Sequence, residues 1–126
     1  SIKPTEEQIR DIEYGYEVAK QIGDIDVGQS VVIKNKMILA IEAIEGTDKA
    51  IERGGKLGKK GSVVVKVSKP SQDKRFDIPT VGMNTLKVMK RYHVNVLAIE
   101  SGETIIVQQE EMVKFAEKNK IVIIAV

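Results

Sequence analysis

At 126 residues and 42% apolar side chains, the chain has the size and composition of one folded domain with its own core, and no apolar run approaches the roughly 18 residues of a membrane-spanning helix. The absence of cysteine excludes disulfides, thiolate catalysis and cysteine-held zinc, while a single histidine, His93, leaves little for a histidine metal site or a Ser-His-Asp triad. The net charge of +2 hides a basic stretch, Arg53, Lys56, Lys59, Lys60, Lys66, Lys69, Lys74 and Arg75, in which Asp73 is the one acid. A local basic field suits an anionic ligand better than a chain-wide nucleic-acid surface, and an aromatic content of 4% counts against base stacking.

Thr5-Glu6-Glu7-Gln8 reads as a capping box that opens a helix carrying Ile9, Ile12, Tyr16 and Ala19 at helical spacing and stopping at Gly23. Val31-Val32-Ile33 and residues 37–41 read as strands joined by a tight hairpin at Asn35-Lys36. Gly46-Thr47-Asp48 opens a helix to about Leu57, and residues 62–67 form a β-branched strand. A long charged loop, residues 69–80, holds Pro70 and Pro79. A helix over 83–92, strands over 94–99 and 104–107, a helix over 110–119 and a strand over 121–126 complete the chain. Strands alternating with helices predict a single α/β domain with a mixed, largely parallel sheet flanked by helices. Right-handed crossovers make strands 37–41, 62–67 and 94–99 mutually parallel, so their carboxyl ends, followed by Glu42 to Asp48, Ser68 to Asp77 and Glu100, converge on one rim.

Two charged clusters are candidates for chemistry on that rim. Glu42, Glu45 and Asp48 are possible metal ligands around a helix start, where Gly46 and Thr47 could offer backbone N–H groups to an anion. Plain N-capping by Thr47 or Asp48 explains the same residues. Lys66, Lys69, Gln72, Asp73, Arg75 and Asp77 form the second cluster. Arg75 can grip phosphate oxygens bidentately and Lys69 can supply a point charge. Asp73 or Asp77 can orient a water or bind a metal. A salt-bridged surface loop accounts for this cluster equally well. Lys56 to Lys60 read as a solvated turn, His93 as a helix-end residue, and Asp24 and Asp26 as turn formers. Oxygen ligands alone are on offer, which suits magnesium.

Taken in order, Asp26-Val27-Gly28-Gln29-Ser30, Ala40-Ile41-Glu42-Ala43-Ile44-Glu45-Gly46-Thr47-Asp48 with Arg53, the stretch from Val65 to Gly82 and Ala98-Ile99-Glu100-Ser101-Gly102 resemble the C-terminal domain of the LpxI-type UDP-2,3-diacylglucosamine pyrophosphatases. The similarity spans nearly the whole chain, and its most specific part is Lys-Pro-x-Gln-Asp-x-Arg-Phe-Asp-x-Pro, residues 69–79. The resemblance implies a cytoplasmic, magnesium-dependent hydrolase of lipid A biosynthesis that releases UMP and 2,3-diacylglucosamine 1-phosphate. It implies Asp73 as the catalytic aspartate, with Lys69 and Arg75 beside it, substrate contacts from Gly46, Thr47, Lys66, Gln72 and Asp77, and metal ligands among Glu42, Glu45, Asp48 and Asp73. The family's N-terminal Rossmann-like domain, which helps enclose the substrate, lies outside these 126 residues, so the isolated domain is expected to be impaired. The implied partners are a UDP-linked lipid, that N-terminal domain, the inner-membrane surface peripherally and a second copy in a homodimer, with no nucleic acid. A nucleotide-sugar or anion-binding module without turnover is the alternative.

Overall fold

The computed structural model describes residues 2–68, 80–102, 105–106 and 108–126. Helix α1 (Glu6–Asp24) starts at the expected capping box: Thr5 Oγ1 accepts from the Gln8 N–H at 3.1 Å, and Gln8 Oε1 accepts from the Thr5 N–H at 3.0 Å. It runs through Gly23, which is buried, and the chain turns instead at Asp26 (φ 60°). Strands β1 (Ser30–Lys34) and β2 (Met37–Ile41) then form the expected hairpin. Next come α2 (Thr47–Gly58), β3 (Ser62–Lys66), β4 (Thr80–Val81), α3 (Met83–Arg91), β5 (Val94–Ile99), β6 (Ile105–Ile106), α4 (Gln109–Lys118) and β7 (Val122–Ala125). The short parallel pair of β4 and β6 stands apart from the main sheet. Residues 80–81, read from sequence as the end of a loop, supply one of its strands.

The main sheet has the order β2-β1-β3-β5-β7. Strand β1 is antiparallel to both neighbours, whereas β3, β5 and β7 pair in parallel. Since β1 reverses against β2 and again against β3, four of the five strands point one way, as the crossover rule requires of 37–41, 62–67 and 94–99. The connections β2-α2-β3, β3-α3-β5 and β5-α4-β7 all step in one direction along the sheet, and connections of one hand stepping one way place their helices on one face. There α2, α3 and α4 bury Ile51, Leu86, Met89 and Met112 against Val32, Val64 and Leu97. On the other face α1 buries Ile12, Ala19 and Ile22 against Val31, Ile33, Val63, Val65 and Val96. The period of two along the valine-rich strands sends alternate side chains into the two cores, each worth about 1.5–3 kcal/mol when fully buried.

The hairpin depends on α1. Asn35 and Lys36 both take positive φ, 52° and 61°, the geometry of a type I′ turn, which favours Asn first and Gly second. Lys36 is costly there. The cost is offset by Asp11, 2% exposed, whose Oδ2 accepts from the Asn35 N–H at 3.0 Å and whose Oδ1 accepts from the Lys36 N–H at 2.8 Å. One carboxylate on α1 therefore closes the turn that sets the register of β2. Asp11→Ala should lower unfolding stability by about 2–3 kcal/mol, because two charge-assisted bonds vanish while the strained turn remains. Urea denaturation checks this, and a loss comparable to that of an exposed control such as Glu13→Ala would contradict it.

Candidate active site

The polar residues gather where β2, β3 and β5 leave the sheet, beside the start of β1. Glu42 follows β2 directly. Its N–H donates to the Ser30 carbonyl at 2.9 Å, and its Oε1 accepts from the Gln29 N–H at 3.2 Å and from Thr47 Oγ1 at 3.3 Å. The Ser30 and Thr47 hydroxyls lie 3.1 Å apart. Only glycine allows the loop before β1 to lie this close, since a Cβ on Gly28 would clash with the Glu42 carbonyl oxygen. Glu42 thereby ties the loop before β1 to the first turn of α2.

Helix α2 starts at Gly46, whose φ of 89° only glycine adopts readily, and no side chain caps it. Thr47 and Asp48 are thus not N-caps. Thr47 turns to Glu42 and Ser30, and Asp48 reaches to the start of α3, accepting from Asn84 Nδ2 at 2.7 Å and Thr85 Oγ1 at 2.8 Å. Helix α3 also begins at a glycine, Gly82, with no side-chain cap. Two helix N-termini are therefore coupled through one carboxylate, and their first-turn N–H groups carry partial positive charge without a capping side chain.

Lys66, the last residue of β3, projects into this arrangement. Burial pushes its ammonium below the usual lysine range, and the nearby Glu42 and Asp48 carboxylates oppose that shift. A half-buried lysine whose charge is disfavoured by desolvation, with two acids acting on it, suits a site that receives an anion.

Glu45 behaves differently. It accepts from the Ala43 N–H at 2.8 Å and from Arg53 Nη2 at 3.1 Å, and Arg53 also donates to the Ile41 carbonyl at 2.9 Å. The Ala43 N–H first, then Arg53, hold its carboxyl below the usual range. Glu42, Glu45 and Asp48 therefore do not form one ligand set: adjacent positions in the loop point Glu45 towards Arg53 and leave Glu42 and Asp48 around Lys66. Among the described residues no three acidic or histidine side chains are grouped to hold a metal. Lys69, Gln72, Asp73, Arg75 and Asp77 lie outside the described residues. Lys56 pairs on the surface with Glu52, and His93 sits exposed in the turn after α3, as expected of both.

A second polar group, of which the sequence places Ser68 and Glu100 on the rim but does not link them to Tyr16 and Lys20, surrounds the exit of β3. The Glu100 carboxylate accepts from the Ser68 N–H at 2.8 Å, from Lys20 Nζ at 3.1 Å and from the Tyr16 hydroxyl at 3.1 Å. Burial pushes the Glu100 carboxyl up, but the Ser68, Lys20 and Tyr16 contacts outweigh it and hold it below the usual range. Burial, then Glu100, raises the Tyr16 phenol. Tyr16 and Lys20 are one helical turn apart. That i, i+4 spacing was the available signal, and it names no partner 80 residues away. Asn84 and Thr85 were likewise missed, because a helix start after a loop gives no hint of a carboxylate on another helix.

The family model described as the LpxI C-terminal domain matches residues 1–124. The UDP-2,3-diacylglucosamine pyrophosphatase LpxI of Caulobacter vibrioides is 32% identical over 124 residues, covering 92% of this chain and 44% of that relative. The chain thus spans less than half the length of the curated relative it matches.

The Glu100 contacts carry a pH signature. Its folded carboxyl titrates below the ordinary glutamate value of about 4.3, so the contacts stabilise fully above that pH and are lost as pH falls through the lower folded value. Glu100→Gln should be less stable than the parent at neutral pH yet lose less stability between about pH 5 and pH 3. Urea midpoints at the two pH values check it, and equal acid losses in both proteins would contradict it.

Proposed function

The chain belongs to the LpxI C-terminal domain family, and on that premise we propose that it carries the catalytic rim of a pyrophosphatase acting on the diphosphate of UDP-2,3-diacylglucosamine. The carrying observation is Lys66, half-buried at the end of β3 where the charges of Glu42 and Asp48 act on it, on the rim that also carries the glycine-started helices α2 and α3. A half-buried cation on the same rim as two helix N-termini that no side chain caps suits a diphosphate.

In this reading the first-turn amides at Gly46 and Thr47 bind diphosphate oxygens, and Lys66 opposes the charge that grows on them as the bond breaks. Lys69 and Arg75 add further positive charge, while Gln72 and Asp77 orient the substrate and the arginine. Asp73 takes the proton of the attacking water. The water oxygen bonds to one phosphorus, the bridging P–O bond breaks, and the products are UMP and 2,3-diacylglucosamine 1-phosphate.

Magnesium fits the donors on this rim. They are hard oxygens, and magnesium commonly takes one or two carboxylates together with substrate phosphates rather than a full protein cage. Glu42, Asp48 and Asp73 would hold it, and it would supply charge neutralisation and polarisation of the diphosphate. Glu45, engaged by Arg53, braces the loop. No helix among the described residues is long and apolar enough to cross a membrane. The reading has the protein work in the cytoplasm and meet its lipid substrate at the inner-membrane surface, with a further N-terminal domain of the same protein enclosing the site.

Incubation with UDP-2,3-diacylglucosamine and magnesium should release UMP. Asp73→Ala should cut the rate by roughly 10²–10⁴-fold, the usual worth of a general base, with an unchanged melt and a smaller loss for Asp77→Ala. UDP binding without UMP release would favour a binding module instead. Lys66→Met should leave the melting temperature within a few degrees of the parent, since it removes a charge that burial disfavours, yet weaken UDP binding by about tenfold or more. Calorimetry checks the binding, and unchanged affinity would remove Lys66 from the site.

A further inference from the structure

Strand β3 delivers Lys66 to the rim, and the chain there is held from both sides. On the β1 side, Gln29 makes two bonds to Val67: its carbonyl accepts from the Val67 N–H at 2.8 Å, and its Nε2 donates to the Val67 carbonyl at 3.2 Å. On the β5 side, Glu100 spans the same residue. Its N–H donates to the Lys66 carbonyl at 3.1 Å, and its Oε1 accepts from the Ser68 N–H at 2.8 Å. The Gln29 bonds join neutral groups. The Glu100 side chain is charged, and it needs a partner to remain in place near the end of a sheet.

That partner comes from α1. Lys20 Nζ stands 3.3 and 3.1 Å from the two Glu100 oxygens and 3.4 Å from the Ser68 carbonyl, so it grips both members of the Glu100–Ser68 bond. Tyr16, one turn earlier on the helix, donates its hydroxyl to Glu100 Oε2. The Glu100 and Lys20 side chains are 14% and 32% exposed, sheltered enough for the pair to outlast ordinary screening.

We propose that Glu100 is a positioning residue: locked by Lys20 and Tyr16, its carboxylate fixes the backbone at Ser68 and so sets where Lys66 stands on the rim. The proposal rests on the reading of Lys66 as a diphosphate contact. A lysine that opposes developing charge must be placed to a fraction of an ångström. Lys66 ends β3 two residues before the Ser68 amide that Glu100 holds, so the position of its backbone follows that bond.

The test separates positioning from folding and from the pyrophosphatase reading. In the 126-residue chain, under conditions where the variant stays folded, Glu100→Gln should speed hydrogen exchange of the Ser68 amide by about tenfold beyond any change at core amides such as Val64, and change the reductive-methylation rate of Lys66 by about threefold or more, with its melting temperature lowered but its circular dichroism at the assay temperature unchanged. Lys20→Arg, which keeps the cation, should leave both near their parent values, whereas Lys20→Met should resemble Glu100→Gln. With UDP-2,3-diacylglucosamine and magnesium, Glu100→Gln should lower kcat by about tenfold with KM within about twofold, and should cost nothing further in a Lys66→Met background. Unchanged exchange and methylation in folded Glu100→Gln, or equal kcat losses with and without Lys66, overturn the proposal. A protein carrying both this chain and the N-terminal domain that turns over no substrate sinks the pyrophosphatase reading alone, because exchange and methylation in the 126-residue chain still report on the positioning.

Discussion

The shared direction of β2, β3, β5 and β7 is what every other feature of the rim depends on. Chain reversal at Asn35-Lys36 sends β2 back along β1, and β1 in turn runs antiparallel to β3, so the carboxyl end of an edge strand matches that of the central strands. That reversal rests on the two bonds from Asp11 to the turn amides. Without the turn, Glu42 would have no reason to lie beside Ser30 and Gln29, and α2 would start elsewhere. A carboxylate buried under the opposite end of the sheet therefore underwrites the placement of Glu42, Thr47 and Asp48.

The two faces of the sheet contribute differently. Helices α2 and α3 lie on one face and bring their N-termini to the rim, where Asp48 joins them through Asn84 and Thr85. Helix α1 lies on the other face and runs the opposite way relative to the rim: its last turns, with Lys20, arrive there. Lys20, one turn before the last turn of that helix, pairs there with the Glu100 carboxylate. The rim is thus electropositive in its amides on one face and held by an ion pair on the other.

Lys66 stands where these contributions meet. Its burial is unfavourable for an ammonium, and Glu42 and Asp48 return only part of the loss. Proteins keep such strain where function uses it. The adjoining neutral bonds of Gln29 and the charged bond of Glu100 act on the two residues after Lys66, so the strand end is held more firmly than a strand terminus generally is.

The sequence by itself determined the elements, their order and the rim. Capping at Thr5, the hairpin at Asn35-Lys36, the β-branched run of β3 and the strand-helix alternation are local patterns, and local patterns survive without knowledge of the fold. Crossover handedness then placed Glu42, Ser68 and Glu100 on one edge before any coordinates, and the quoted stretches carried the family. Tertiary structure alone decided which side chains meet. Glu45 and Glu42 are equivalent acids in one loop, and they are separated by Arg53, nearly two turns into α2, which takes Glu45, and by Gln29 and Thr47, which take Glu42. Tyr16 read as a core aromatic because helical spacing reports which face is apolar, not what lies across from the polar tip. Asp48 read as a cap or a metal ligand because its actual donors, Asn84 and Thr85, are more than 30 residues away in sequence. Spacing encodes neighbours along one element; a contact between elements depends on how the whole sheet brings them together.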